Sequence, residues 1–208
     1  MSRAPFVREA PDVRRQSLIA ATAKCLAKRG IGGTSVRTIC AEAGVSPGLL
    51  THYFTGIGEL IVATYRDVGA RVSHTLETAA AAAGEDPQAQ IRAYVVGSFR
   101  PPVLDPDLLA TWLAFWSLVK TDPAVAQVHG ELYAEYRLGL EGLIQRCLPL
   151  ATSDDIRLAA VAMTALVDGL WLELCLDPRS FTPDEAARMA IRWVETLLDR
   201  PSFASATA

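Results

Sequence analysis

The sequence predicts an all-α fold, and three observations lead to that class. Helix starts are marked repeatedly by a capping residue followed directly by proline, so that a side-chain oxygen accepts from the first free amides while proline occupies the first helical position. Strand signals are nearly absent, since no sustained apolar–polar alternation and no Asn-Gly hairpin turn occurs. Hydrophobic residues make up 50% of the 208 residues, which supplies a core. The capping pairs are Ser46-Pro47, Asp86-Pro87, Asp105-Pro106, Asp122-Pro123 and Thr182-Pro183.

Nine helices are expected along the chain. Gly30 stops the first and Gly84 stops the long fourth one, because glycine suits the residue that follows a helix. Thr182 and Glu185 have the spacing of a capping box, and the acids after Ser153 suit another helix start. The expected helices run from about Val13 to Arg29, as two short helices within residues 36–55, and from about Gly58 to Ala83, Pro87 to Phe99, Asp107 to Lys120, Pro123 to Cys147, Asp154 to Leu176 and Pro183 to Asp199.

Charge and composition limit the function classes. Residues 1–60 carry eight Lys/Arg against four Asp/Glu, whereas the remaining residues carry 12 against 19. This asymmetry predicts either that the N-terminal part meets a polyanion or that its basic surplus is a solvated surface. The four cysteines form no C-x-x-C pair, so buried thiols are expected rather than disulfides or zinc, and no cofactor or metal is predicted. Without a signal segment or an uninterrupted apolar run of membrane-spanning length, a cytoplasmic protein is expected.

The interrupted segment predicts a helix-turn-helix at residues 36–55. Apolar residues recur at helical spacing up to Ala43, Gly44 permits a left-handed turn, and Ser46 and Pro47 begin a second helix. The small Cys40 stands where the two helices cross closely. A tight helical hairpin within a bundle would show a similar pattern.

In a helix-turn-helix the second helix enters the DNA major groove with its first residues toward base edges. Gly48 allows close approach, Leu49 suits a thymine methyl, and Thr51 suits a base edge or phosphate. Main-chain amides near Thr34 and Ser35 are expected to form an anion site. Alternatively Leu50 and Tyr53 are core residues and Thr51 is merely solvated. The predicted DNA-binding residues are Arg14, Thr34, Ser35, Arg37, Ser46, Pro47, Gly48, Leu49, Thr51, His52 and Tyr53.

The last two helices carry more apolar residues than one face can use. A partner subunit that forms a four-helix bundle is the simplest explanation, and a deeply buried helix in a monomer is the alternative. A dimer also holds two recognition helices about 34 Å apart, as successive major grooves require. The predicted interface residues are Met163, Leu166, Leu170, Met189, Trp193 and Leu197.

Aromatic residues and an acid suggest a ligand pocket in the C-terminal part. Aromatics at helical spacing are usually core, but a pocket of aromatic rings with an acid, Asp168 or Glu173, is what a cationic or quaternary ammonium ligand requires. The predicted effector-binding residues are Trp112, Phe115, Trp116, His129, Tyr133, Asp168 and Trp171, with Tyr136 nearby.

Sequence motifs resemble the TetR family of transcriptional regulators. The run TSVRTICAEAGVSPGLLTHYF, preceded by RRQSLIAAT, is similar to the DNA-binding domain of that family over roughly residues 12–70. The runs WLAFW and DGLWL and the Asp122-Pro123 pair resemble the C-terminal domain of its BetI-like branch, whose members are associated with choline. The resemblance implies a cytoplasmic homodimeric repressor with nine helices per subunit. It would bind a palindromic operator and release it on binding a small-molecule effector.

The resemblance also implies a domain division and shows two departures. A basic arm at 1–11, including Arg3 and Arg8, precedes a DNA-binding domain at 12–57, an effector-binding and dimerisation domain at 58–200 and a frayed tail at 201–208. Thr51 stands where the family commonly has tyrosine, and Ile57 where it commonly has lysine. Losing that lysine predicts a log–log salt slope shallower by about one unit.

Two other functions stay open from the residues alone. One is a dimeric binding or scaffold protein whose head has weakened DNA affinity. The other is an all-α enzyme that uses His129, Asp168 and Glu173, although no metal-ligand spacing, nucleophile motif or phosphate loop accompanies them.

Overall fold

A computed structural model of the protein describes residues 11–199, which form nine α-helices and no strand within that range. The all-α prediction is therefore confirmed. The predicted arm residues Arg3 and Arg8 and the tail 201–208 lie outside the described residues. The helices are α1 (Pro11–Gly33), α2 (Val36–Ala43), α3 (Pro47–Tyr53), α4 (Ile57–Ala82), α5 (Pro87–Gly97), α6 (Pro106–Leu118), α7 (Pro123–Cys147), α8 (Ser153–Leu176) and α9 (Pro183–Asp199).

Helix α1 bends at Gly30 where the sequence predicted an end. Gly30 has φ 60° and ψ −172°, outside the helical region, and a short helical turn continues from there to Gly33. The hydroxyl of Thr34 donates to the Gly30 carbonyl at 2.7 Å, which gives the carbonyl at the bend a partner. The bend therefore redirects the chain into α2 without a long loop.

Most of the predicted caps form. Thr182 and Glu185 make the full box, since the Thr182 amide donates to the Glu185 carboxylate at 2.8 Å and the Glu185 amide donates to Thr182 Oγ1 at 3.3 Å. Helix α8 is capped by Thr152 rather than by Ser153. Ser46 is the exception, because its side chain makes no capping hydrogen bond. The aspartates whose side chains accept from their helix amides as predicted are Asp86, Asp105 and Asp122.

Three clusters of buried side chains form the core. One lies among α1, α2, α3 and the start of α4 and includes Ile39, Cys40 and Leu50. A second joins the end of α1 to α4, α6 and α7 through Leu26 and Tyr65. The largest lies among α4, α5, α7, α8 and α9. The middle cluster therefore connects the helix-turn-helix to the C-terminal helices.

Helices α8 and α9 divide their apolar residues between the core and the surface. Met163 is 1% exposed and Leu197 is 5% exposed, so both belong to the subunit's own core and have almost no surface for a partner, contrary to the prediction. Met189 is 44% exposed, and Leu166, Leu170 and Trp193 are half-buried. Val161 and Leu176 extend the exposed apolar strip along α8.

Helix α8 is, among the described helices, the one that is long and apolar enough to cross a membrane by length and composition alone. The sequence analysis had found no such segment. Part of the helix lies in the largest core cluster, where Ile156, Val167 and Leu174 are buried. A core helix of a globular domain meets the same length and composition criteria.

Candidate functional sites

The turn between α2 and α3 has the predicted left-handed glycine. Gly44 has φ 65° and ψ 34°, and the amide of Val45 donates to the Cys40 carbonyl at 2.9 Å. Cys40 itself is buried, as the close crossing of the two helices requires. A side chain at residue 44 would meet no atom within 4 Å, so the turn needs glycine for its backbone conformation rather than for space.

The start of α2 is closed by a capping box that the sequence analysis missed. The Ser35 amide donates to Thr38 Oγ1 at 2.9 Å, and the Thr38 amide donates to Ser35 Oγ at 3.2 Å. The Thr34 amide donates to the Ile31 carbonyl at 3.1 Å. The amides of Thr34 and Ser35 are thus already used, which corrects their assignment as an anion site.

The outer face of α3 presents small side chains to solvent. Pro47, Gly48, Thr51 and His52 are exposed together with the preceding Ser46, whereas Leu49 is half-buried. The Thr51 hydroxyl donates to the Gly48 carbonyl at 3.1 Å. Leu50 is fully buried, as the alternative interpretation had it.

Tyr53 and the basic residues flank this face. Tyr53 is half-buried, packs against the core of the helix-turn-helix and meets His52 edge to face, with ring centroids 5.0 Å apart. Arg37 is exposed on α2 and Arg14 is half-buried on α1. The Arg15 guanidinium lies 5.0 Å from the centre of the Phe54 ring, which holds a cation beside α3.

The start of α4 shows the departure at Ile57. Ile57 is the first residue of the helix, is half-buried and packs against the core of the helix-turn-helix. Glu59, one turn into α4, accepts from the Thr55 amide at 2.7 Å and from its hydroxyl at 2.8 Å. These hydrogen bonds hold the pKa of Glu59 below its usual value, so a carboxylate replaces a cation at this point.

An inner cavity with about 520 Å³ of empty space lies between α4, α6, α7 and α8. Its size falls within the range of about 300–1,000 Å³ typical of small-molecule pockets. The rings of Trp112 and Trp171 meet nearly at right angles on its wall, with centroids 6.2 Å apart. The Trp171 indole is fixed by donating to the Ser98 carbonyl at 2.8 Å. The lining residues are mostly apolar, with Tyr133, Tyr136 and Asp168 among them.

Tyr133 organises the polar side of this cavity. The indole nitrogens of Trp112 and Trp116 both donate to its hydroxyl oxygen, at 3.2 and 3.1 Å. Burial raises the pKa of Tyr133, so it keeps its own proton as a donor. The Tyr133 hydroxyl hydrogen bonds to Asp168 and lowers the pKa of that carboxyl group.

Asp168 is a half-buried carboxylate, and no Lys or Arg between residues 11 and 199 forms an ion pair with it. Burial raises its pKa to about 6, while the Tyr133 hydrogen bond and the charge of Arg137 act in the opposite direction. Near neutral pH the group is therefore mainly ionised. A buried, unpaired carboxylate beside aromatic rings is a site for a cation.

An outer cavity adjoins the inner one and shares Tyr133 and Asp168 with it. Its other lining residues are Trp116, Val119, Lys120 and His129. His129 Nδ1 lies 2.8 Å from the buried Tyr65 hydroxyl, and its ring stacks at 4.2 Å on Tyr133. Burial and then the charge of Arg137 lower the pKa of His129, so its imidazole is neutral.

Phe115 and Glu173 do not line either cavity. Phe115 is fully buried and stacks on Tyr65 with centroids 4.2 Å apart, so it is a core residue and its assignment to the effector site is wrong. Glu173 is exposed. The sequence analysis missed Lys120, which follows Trp116 by one helical turn, and Tyr65, which fixes His129. Within the described chain no group of three or more His, Cys, Asp or Glu residues is arranged to hold a metal ion.

Comparisons with known proteins agree with this architecture. The family described as bacterial regulatory proteins, tetR family, matches residues 18–64, and that described as BetI-type transcriptional repressor, C-terminal, matches residues 87–199. The HTH-type transcriptional regulator BetI of Pseudomonas paraeruginosa is 34% identical over 191 residues, which cover 91% of this chain and 95% of that relative. The BetI of Burkholderia cenocepacia is 31% identical over 195 residues, covering 90% and 95%.

Solved structures show the same fold. A transcriptional regulator from Pseudomonas aeruginosa PAO1 superposes with a TM-score of 0.85 and 40% identity, covering 95% of this chain and 96% of that one. A regulator from Saccharomonospora viridis, crystallised in complex with choline, has a TM-score of 0.77 and 17% identity over 88% and 96% of the two chains. The helix-turn-helix, the C-terminal helices and these relatives together show that the chain belongs to the TetR family of transcriptional regulators, with a BetI-type C-terminal domain, and is a regulator rather than an enzyme.

Proposed function

We propose that this regulator is a homodimeric repressor that binds a palindromic operator and leaves it when a small cationic effector, such as choline or another quaternary amine, occupies the inner cavity. The observation that carries the proposal is the unpaired Asp168 carboxylate beside the Trp112 and Trp171 rings, in the same chain as an exposed α3. The protein would act in the cytoplasm, where its operator is found.

The DNA contacts would come from α3 and its neighbours. Gly48 and Thr51 are exposed on the face that the fold presents for the major groove, and no side chain at Gly48 stands between the helix backbone and a base edge. Arg37 and Arg14 on the flanking helices would contact phosphates, as would the half-buried Tyr53. Ser46, whose hydroxyl does not cap its helix, is free of that role for a phosphate.

The dimer would form through the apolar surface of α8 and α9. Val161, Leu176 and Met189 are exposed there, and Trp193 is half-buried on the same side as Met189. An apolar strip on two adjacent long helices suits a four-helix bundle with a second subunit. Such a bundle fixes the distance between two copies of α3.

The effector would be attracted by charge and held by aromatic faces. A quaternary ammonium group offers no hydrogen bond, so it is recognised by a carboxylate at short range and by ring faces around its methyl groups. The cavity supplies both, with Asp168 on one side and the Trp112 and Trp171 rings on another. The choline-bound regulator of Saccharomonospora viridis shares the fold and supports this effector class.

A DNA-binding titration with and without effector tests the proposal. The purified full chain is titrated against labelled DNA from the region flanking its coding sequence, with unrelated DNA of equal length as competitor. We expect a sequence-preferring complex that choline weakens and that 3,3-dimethyl-1-butanol, its uncharged carbon analogue, leaves intact. Loss of preference over the competitor at low salt would contradict the DNA-binding assignment. An equal response to the two alcohols would contradict the cationic effector.

A further inference from the structure

The outer cavity contains two opposite charges that do not pair. Lys120 and Asp168 both line it, yet their side chains do not approach within the 4.0 Å of an ion pair. In the described part of the chain Lys120 has no ion-pair partner either. Charges that face one cavity at a distance favour a ligand that carries both signs, because each end of the ligand meets its opposite.

His129 adds a neutral donor to the Lys120 side. Tyr65 is fully buried and burial raises its pKa, so its hydroxyl keeps its proton and donates to His129 Nδ1 at 2.8 Å. With Nδ1 accepting and the imidazole neutral, the ring proton lies on Nε2. His129 therefore lines the cavity as a hydrogen-bond donor of fixed tautomer rather than as an acceptor.

We propose that the outer cavity is an anion subsite and that the effector is a small zwitterion. Its cationic group lies against Asp168 and the indole rings, and its anionic group is bound by Lys120 and the His129 Nε2–H. This inference rests on the proposed cationic effector of the inner cavity and specifies its second end. Because Tyr133 and Asp168 separate the two cavities, a ligand of a few bonds in length contacts both.

Lys120 also sets a preference against ligands that carry only positive charge. A cation such as choline, held at Asp168, has its other end toward an ammonium group that it cannot neutralise. A carboxylate at that end would gain a charge-assisted hydrogen bond instead. Since Lys120 is exposed, its contribution is the modest one of a solvated ion pair, a factor of about five in affinity.

Calorimetric titration of the full chain tests the subsite with matched ligands. Trimethylglycine carries both charges, choline lacks the anion, and phosphocholine carries a phosphate in place of the carboxylate. We expect trimethylglycine to bind about fivefold more tightly than choline at low salt and neutral pH. Phosphocholine distinguishes a subsite that accepts any anion from one limited to carboxylates. Choline binding as tightly as trimethylglycine would overturn the proposal.

Two lysine variants separate the subsite from general charge. Lys120→Met keeps the length of the side chain and should reduce the trimethylglycine-to-choline affinity ratio to about one. Lys28→Met makes the same change on an exposed residue of α1 and should leave the ratio at its original value. An unchanged ratio in Lys120→Met would overturn the anion subsite. If neither trimethylglycine nor choline binds the folded protein, the cationic effector itself is wrong, and the zwitterion falls with it.

Discussion

The hydroxyl of Thr111 on α6 donates a hydrogen bond to the main-chain carbonyl of Ala23 on α1 at 3.2 Å. The same hydroxyl also donates to the Asp107 carbonyl of its own helix at 2.7 Å. The next residue, Trp112, lines the inner cavity. A ligand that displaces Trp112 therefore moves the residue that touches the first helix of the DNA-binding domain, and the second acceptor keeps Thr111 satisfied when that contact breaks.

Thr111→Val should weaken the communication between cavity and operator. Valine keeps the shape of the side chain but removes the α6-to-α1 hydrogen bond, at a cost of about 0.5–1.5 kcal/mol in the free energy of unfolding. Effector affinity should change little, while the effector-induced loss of operator affinity should shrink severalfold. Operator titrations with and without saturating effector measure this ratio. A variant that releases DNA as fully as wild type would exclude this contact from the signal.

Thr51 should read the methyl group of a thymine. Its hydroxyl proton is donated to the Gly48 carbonyl, so the side chain offers DNA a methyl group and an acceptor oxygen. Helix α3 carries no Arg, Lys, Asn or Gln that could bind a purine edge with two hydrogen bonds. We expect a thymine-to-uracil replacement in the operator, which deletes one methyl, to weaken wild-type binding by about three- to tenfold at the contacted position.

The matched variant for that prediction is Thr51→Ser. Serine retains the hydroxyl and loses the methyl group, so its affinity should no longer distinguish thymine from uracil at that position. Fluorescence anisotropy on the four combinations of protein and operator gives the coupling between the two methyl groups. Independent effects of the two changes would show that Thr51 lies elsewhere on the duplex.

Ile57→Lys should strengthen operator binding in a salt-dependent way. Residue 57 begins α4, where a lysine would add one phosphate contact, so the log–log salt slope should steepen by about one unit. Ile57 also packs on the core of the helix-turn-helix, so a small loss of stability is expected. Affinity measured across a salt series checks the slope. A parallel shift at all salt concentrations would mean that the lysine does not reach the DNA backbone.

The sequence was enough for the parts of the molecule whose physics is local. Gly44 and the Asp-Pro helix starts depend on backbone conformation within a few residues, and the structure confirms them. Phe115 could not be separated from Trp112, because α6 contacts α1, α4, α7 and α8 and only the tertiary packing decides which ring faces the cavity. Lys120 was missed for the same reason, as its role depends on Asp168 across the cavity.

Charged substitutions on α8 and α9 should dissociate the proposed dimer. Val161→Glu together with Met189→Glu places two carboxylates per subunit in the exposed apolar strip, where burial against a partner would cost several kcal/mol. Light scattering after size exclusion should then show a monomer, and operator affinity should fall by at least about a hundredfold because one head binds alone. Leu138→Glu on α7, which is 65% exposed, is the control and should retain the mass of the unsubstituted protein. A double variant that keeps that mass would place the interface elsewhere.

Effector affinity should fall as the pH drops through about 6, the pKa to which burial raises Asp168. A cation binds the ionised carboxylate, and at pH 5 only about a tenth of Asp168 remains ionised, so choline affinity should be about tenfold lower than at pH 7.5. His129 remains neutral over most of this range because its pKa is lowered. Calorimetry at a series of pH values measures the profile.

Asp168→Asn separates this group from the rest of the protein. The variant should bind choline weakly at every pH and show no inflection near pH 6. Its stability should respond in the opposite sense. Because the folded pKa lies above the ordinary value of 3.8, the wild-type carboxyl group binds its proton more readily in the folded state. Its contribution to the free energy of unfolding therefore rises as pH falls from about 7 to about 4, and asparagine removes that rise. A wild-type pH profile of choline binding that is flat between pH 5 and 7.5 would show that Asp168 does not bind the cation.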